Sequence, residues 1–163
     1  MSIVIDWVIK MNEKLIIENI VKLPYKLALK YFIQNMEKLS DEYYWQVVRA
    51  LWIDEGACND LWELLFFYSG RKRQHKIMKS SDRQALKKMP KEVAIYRGCK
   101  EKTDENKFNW SLDKTFVERY IKTMQGYYIA EKKINKKEIF AYFNSRNEQE
   151  IILKRNKNPF KIN

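Results

Sequence analysis

Around Pro90 the spacing of the apolar residues changes period, and that change constrains the fold more than any bulk property of the chain. Before it, Tyr44, Val47, Val48, Leu51 and Trp52 form an i, i+3, i+4, i+7, i+8 stripe behind Ser40, with Gly56 as a stop. The run from Ile3 to Ile20 has the same spacing among Lys10, Lys14 and Glu18, and Pro24 closes it. A second helix carries Leu27, Tyr31 and Phe32. Another starts near Asn59, with Leu61, Leu64, Leu65 and Tyr68 on one face and Gly70 beyond its end. Ser81-Asp82-Arg83-Gln84 fits a capping box that opens a short helix ended by Pro90. After Pro90, short runs read as strands: Val93 to Arg97, Tyr127 to Glu131, Ile139 to Phe143 and Gln149 to Leu153. Asp113 caps an intervening helix that presents Phe116, Tyr120, Ile121 and Met124 and ends at Gly126. The fold class is α+β.

A chain of 163 residues suits one composite domain, read as a helical part over 1–90, a strand-rich core over 91–155 and a basic tail over 156–163. A hydrophobic share of 45%, with 14% aromatic, argues for a folded chain although 33% of residues are charged. No apolar run approaches the roughly 18 to 20 residues that cross a bilayer. The opening segment also lacks a basic leader, so the expectation is a cytoplasmic protein with no membrane partner. Cys58 and Cys99 lie far apart, and the single histidine, His75, sits in the basic run Arg71-Lys72-Arg73-Gln74-His75-Lys76. That argues against histidine triads and multi-histidine metal sites, and no metal is expected. With four glycines and no glycine-rich phosphate cradle, a Rossmann or P-loop site is disfavoured too. The net charge of +11 suits phosphates of any kind, so NAD, nucleic acid and an acidic protein are all compatible partners.

The chemistry-bearing residues fall in the second half. Glu148 and Glu150 stand two apart on the edge of the apolar run Ile151-Ile152-Leu153, and in a strand they would leave the same face. Tyr96-Arg97-Gly98 ends a strand on an arginine, and Asn109-Trp110-Ser111 sets a serine among aromatics. Each motif is short, and taken singly each has an ordinary explanation: a solvated acid face, a strand-end arginine paired with an acid, core aromatics.

In order, from Lys91 to Leu153, the chain offers arginine, serine, then glutamate-x-glutamate. In this it resembles the ADP-ribosyltransferases of the arginine-serine-glutamate class, which break the nicotinamide bond of NAD and move ADP-ribose to an acceptor. The resemblance implies a helical N-terminal half packed on a split, mixed β-sheet core. Glu150 would be the catalytic acid that stabilises the ribosyl cation, and Glu148 the second acid, which goes with arginine as the acceptor. Arg97 and Gly98 would hold NAD, a substrate here, through its phosphate or ribose oxygens. Asn109, Trp110 and Ser111 stand where the family has serine-threonine-serine: Asn109 replaces the first serine, and Ser111 would orient the glutamate. Phe143 and Arg146 would recognise the acceptor, a protein or a nucleic acid. Only Gln125 and Gly126 separate the Asp113-capped helix from the next strand, where many relatives carry a longer loop around the NAD phosphates. Two other outcomes fit the same residues: an inactive protein of this fold that captures a partner through its basic surface, and an NAD hydrolase with water as acceptor. The lysine- and isoleucine-rich composition suits a phage or mobile element in an AT-rich host.

Overall fold

A computed structural model describes residues 3–155, with side chains from residue 10 onward. The basic tail over 156–163 lies outside the described residues. The chain separates at Ile77/Met78 into two compact units, so the seam lies earlier than the change of period at Pro90.

The first unit holds α1 (Ile3–Lys22), α2 (Tyr25–Asn35), α3 (Asp41–Glu55) and α4 (Asp60–Glu63). The α3 stripe is buried as its spacing requires, with Trp45 added to Tyr44, Val47, Val48, Leu51 and Trp52. Ser40 precedes α3 without a side-chain cap. Its backbone N–H instead donates to the buried carboxylate of Glu13, and Asp41 and Glu42 follow in the first turn. Asn59 caps α4, its side chain accepting from Trp62 N at 3.1 Å. The expected single face of that helix is not what forms. From Leu64 to Tyr68 the helix widens to π turns, which changes the angle per residue. Trp62, Leu65 and Phe66 are buried, while Leu64 is 43% exposed. The three rings of Trp52, Trp62 and Phe66 meet mutually, with centroids 5.1 to 5.6 Å apart.

The second unit opens with α5 (Ser80–Lys88). The capping box expected from Ser81 to Gln84 does not form: the helix starts at Ser80 with Lys79 as its N-cap, two residues before the expected cap, so Ser81 lies inside the first turn and Asp82 is buried. The sheet follows as β1 (Glu92–Cys99), β2 (Asn109–Ser111), β3 (Tyr128–Asn135), β4 (Ile139–Phe143) and β5 (Glu150–Leu153), with α6 (Lys114–Ile121) between β2 and β3. Asp113 caps α6 as expected, accepting from Phe116 N at 3.0 Å. The helix buries Val117, while Tyr120 stays 56% exposed.

The strands form one five-stranded sheet in the order β3-β1-β2-β5-β4, and every neighbouring pair is antiparallel. That corrects the expected mixed sheet. Asn135 ends β3 and Ile139 opens β4, so three residues join the two edges of the sheet. Five strands laid flat would put those edges about 19 Å apart. Four backbone steps reach at most about 14 Å. The sheet must therefore twist or curl enough to bring the linked ends of β3 and β4 within that reach at Lys136–Glu138. At the β1–β2 seam the strands share a single registered pair, Tyr96↔Ser111, whereas β1 and β3 stay in register from Glu92↔Asn135 to Cys99↔Tyr128.

Candidate active site on the three central strands

The segments carrying Arg97, Ser111 and Glu150 are the three adjacent strands β1, β2 and β5. Register sets Tyr96 opposite Ser111, Ser111 opposite Glu150, and Glu150 opposite Phe143. Cross-strand partners share a face, so Ser111 and Glu150 leave the same side of the sheet. Arg97, one residue beyond Tyr96, starts from the other side. Its guanidinium nevertheless reaches β2, where Nη1 donates to the carbonyl and to the side-chain oxygen of Asn109. Asn109 is two residues before Ser111 on β2 and shares its face. The Nε of Arg97 is buried with no hydrogen-bond acceptor. A buried, unfilled N–H on a charged group costs free energy, of order 1–3 kcal/mol for a buried donor.

Ser111 is 5% exposed and its hydroxyl is spoken for on two sides. Oγ donates to the carbonyl of Glu148 at 2.6 Å and accepts from the backbone N–H of Asp113 at 2.9 Å. It thus ties the peptide of the first acid to the start of α6. Leu112 N adds a bond to the carbonyl of Gln149 at 3.0 Å. These bonds hold an unusual backbone, since Asn147 and Gln149 have φ of 56° and 47°, the left-handed region that side chains disfavour. Here the expectation for the paired acids needs correcting. The strand begins at Glu150, and Gln149 at positive φ breaks the extended alternation that would have aligned Glu148 with it. Glu148 sits in a turn.

In that turn Glu148 is held by a guanidinium of its own chain. Arg146 Nε lies 3.1 Å from Oε1 and Nη2 donates to Oε2 at 3.2 Å, a two-pronged fork. Arg146 is half-exposed, but Phe143, the other residue expected at the acceptor, is 2% exposed at the end of β4. Phe143 is core and has no surface to offer an acceptor. Trp110 is also core, on the side opposite Ser111, 3% exposed, with Nε1 donating to Lys107 O at 2.8 Å and Lys132 Nζ 4.6 Å from its ring centre. It does not border the Ser111–Glu150 face. Gly98 serves packing: a Cβ there would stand 2.3 Å from Ile121 Cγ2 of α6.

The loop between β1 and β2 braces the seam. Asp104 accepts from the backbone N–H groups of Lys100 and Glu101 and pairs with Lys107 at 2.7 Å, which together hold its carboxyl well below the usual range. Lys102 and Tyr128 bond Glu105 and lower it also, while Tyr128 is pushed up to about 12 by desolvation and by that carboxylate. Burial raises the Cys99 thiol, which keeps it unreactive. None of Asn109 as arginine partner, the left-handed pair around Glu148 or this brace carried a signal in the sequence. Each depends on contacts between segments.

Among the described residues no three or more His, Cys, Asp or Glu side chains are grouped to hold a metal, and no helix is long and apolar enough to cross a membrane. No protein-family model, curated protein or solved structure matches the chain.

Proposed function

We propose that this chain is a mono-ADP-ribosyltransferase that cleaves NAD and transfers ADP-ribose to a macromolecular acceptor, with an arginine guanidinium as the favoured nucleophile. One observation carries the reading. Arg97, Ser111 and Glu150, far apart in sequence, come from three neighbouring strands, with Ser111 in register beside Glu150 and bonded to the peptide of Glu148, just before the third strand. In the proposed reaction the bond from ribose to nicotinamide breaks and nicotinamide leaves with the electron pair. Glu150 supplies negative charge to the ribosyl cation. The acceptor nitrogen forms the new bond, and its proton passes to Glu148. The unfilled Nε of Arg97 would find its acceptor in a phosphate or ribose oxygen of NAD. That Glu148 already takes a guanidinium in two-pronged fashion supports arginine as the acceptor type.

A second reading, a non-catalytic protein on this scaffold, draws on the same contacts. Glu148 is engaged by Arg146 and Arg97 by Asn109, so both groups are stabilised without substrate. The two readings part on one assay. With labelled NAD and an arginine-rich protein acceptor, the transferase reading expects nicotinamide release and label on the acceptor, with Glu150→Gln reducing the rate by about 10²–10³-fold. Wild-type protein that releases no nicotinamide, matching Glu150→Gln, leaves the non-catalytic reading standing. Release without label on the acceptor indicates water as the acceptor.

A further inference from the structure

The corner where the sheet edges meet is built from lysines. Lys136 Nζ donates to the carbonyls of Lys87 and Met89 at 2.8 and 2.7 Å, capping the C-terminal end of α5, and Lys136 N bonds Lys91 O at 2.8 Å. Lys154 Nζ donates to Lys137 O at 2.7 Å, and Lys154 N to Glu138 O at 2.8 Å. Four segments are thereby laced together: the end of α5, the start of β1, the turn from β3 to β4 and the end of β5. The partners of Lys136 and Lys154 are carbonyls, so their charges are not cancelled. Lys87, Lys88, Lys91 and Lys137 are exposed and form no ion pair among the described residues. Of the nearby acids, Glu92 pairs with Lys133 at 3.1 Å, while Glu138 accepts from Asn135 N at 2.8 Å and keeps its charge, one carboxylate against the six ammoniums of Lys87, Lys88, Lys91, Lys136, Lys137 and Lys154.

We infer that this lysine corner binds the phosphate backbone of nucleic acid, without reading bases. Uncancelled ammonium groups crowded on one corner repel one another, and a polyanion offsets that repulsion while releasing its counterions. The surface chemistry selects this partner over two others. The large exposed apolar side chains of the described residues lie on other segments, none between 87 and 91 or 133 and 138, so the corner has no wedge for a membrane interior. It also has no exposed aromatic platform, and Arg155 beside Lys154 is turned to its own chain, donating to Asn106 O at 2.7 Å and lying over the Phe108 ring, so the groups that stack on or read bases are not offered. Compact ammoniums spread over four segments suit repeating phosphates better than a short acidic peptide.

The test titrates the full chain into labelled 20-base-pair DNA and RNA duplexes across about 50–200 mM salt, and compares two triple variants of equal net charge. Lys88→Gln/Lys91→Gln/Lys137→Gln should weaken binding tenfold or more and flatten the slope of log K against log salt by about 3. Lys10→Gln/Lys14→Gln/Lys22→Gln, on exposed positions of α1, should leave binding within about threefold. Binding to either duplex with this pattern supports the inference, and the tighter arm names the natural polymer. Equal weakening by both triples overturns it, as does retention on anionic vesicles or polyglutamate with none on either duplex. Nicotinamide release plays no part in the readout, so failure here is separate from failure of the transferase reading.

Discussion

The helical unit and the sheet unit are held by different chemistry. In residues 3–77 the interior is a ring cluster, with Trp52, Trp62 and Phe66 in mutual contact and Tyr44 meeting Phe32 on one side and the Arg71 guanidinium on the other. In residues 78–155 the interior is aliphatic strand residues such as Ile95, Ile151 and Ile152, and polar ties add to the order. Ser111 pins the turn of the two acids, Arg97 ties β1 to β2, Asp104 and Glu105 brace the loop beneath, and lysines lace the corner. The difference teaches where chemistry can reside. Buried rings tolerate no incoming ligand, whereas polar groups held in strained backbone or left unfilled can exchange a protein partner for a substrate. Left-handed residues flank Glu148 in the sheet unit, where Arg97 also has an unfilled Nε, while the helical unit has a left-handed residue of its own at Arg73.

Four measurements break or sharpen that contrast. The largest effect belongs to the ring cluster: Trp62→Ala should cost about 3–5 kcal/mol of unfolding free energy in urea, read by far-UV circular dichroism. A cost under about 1 kcal/mol would mean the rings do not hold the helical unit. Ser111→Ala should cost less in stability, about 1–2 kcal/mol, because it orphans the Glu148 carbonyl and the Asp113 N–H. On the transferase reading it should also lower nicotinamide release disproportionately by loosening the turn. Equal loss in Ser111→Ala and an unrelated core variant of matched stability would remove any special role for that hydroxyl.

Acid should act next. The carboxyls of Asp104 and Glu105 sit below their ordinary values in the folded chain, so their contribution is present above about pH 4 and is lost as pH falls through the folded values. Glu42, lowered chiefly by its bond from Lys76, gives the helical unit a share of the same trend. Asp104→Asn should therefore flatten, without abolishing, the fall in melting temperature between pH 6 and pH 3. An unchanged profile would show that the brace is not coupled to folding. The smallest stability effect is expected for Arg146→Ala, well under 1 kcal/mol for so exposed a pair. On the transferase reading its informative readout is transfer to arginine, which should rise as Glu148 is released. A fall instead would assign Arg146 to holding the acid in position.

The expected strand from Ile139 to Phe143 matches β4, and the α3 stripe is buried residue for residue, because both follow from side-chain period. The same logic failed at Leu64, where π turns shift the face, and at Glu148, where a left-handed Gln149 interrupts the strand. Trp110 and Phe143 were read as site residues from their place in a motif. Their burial depends on which face each strand turns inward, and a local pattern holds no record of its neighbours.

Local periodicity and caps were enough to assign the class of the fold, most of its elements and the order in which arginine, serine and the paired acids occur. Strand order, the antiparallel pairing, the short β1–β2 pairing and the partners of Arg97, Ser111 and Glu148 were settled only by folding. Periodicity depends on residues a few positions apart, which any chain of this sequence carries with it. A bond between segments joins positions such as 111 and 148, brought within 2.6 Å only when β2 pairs with β5.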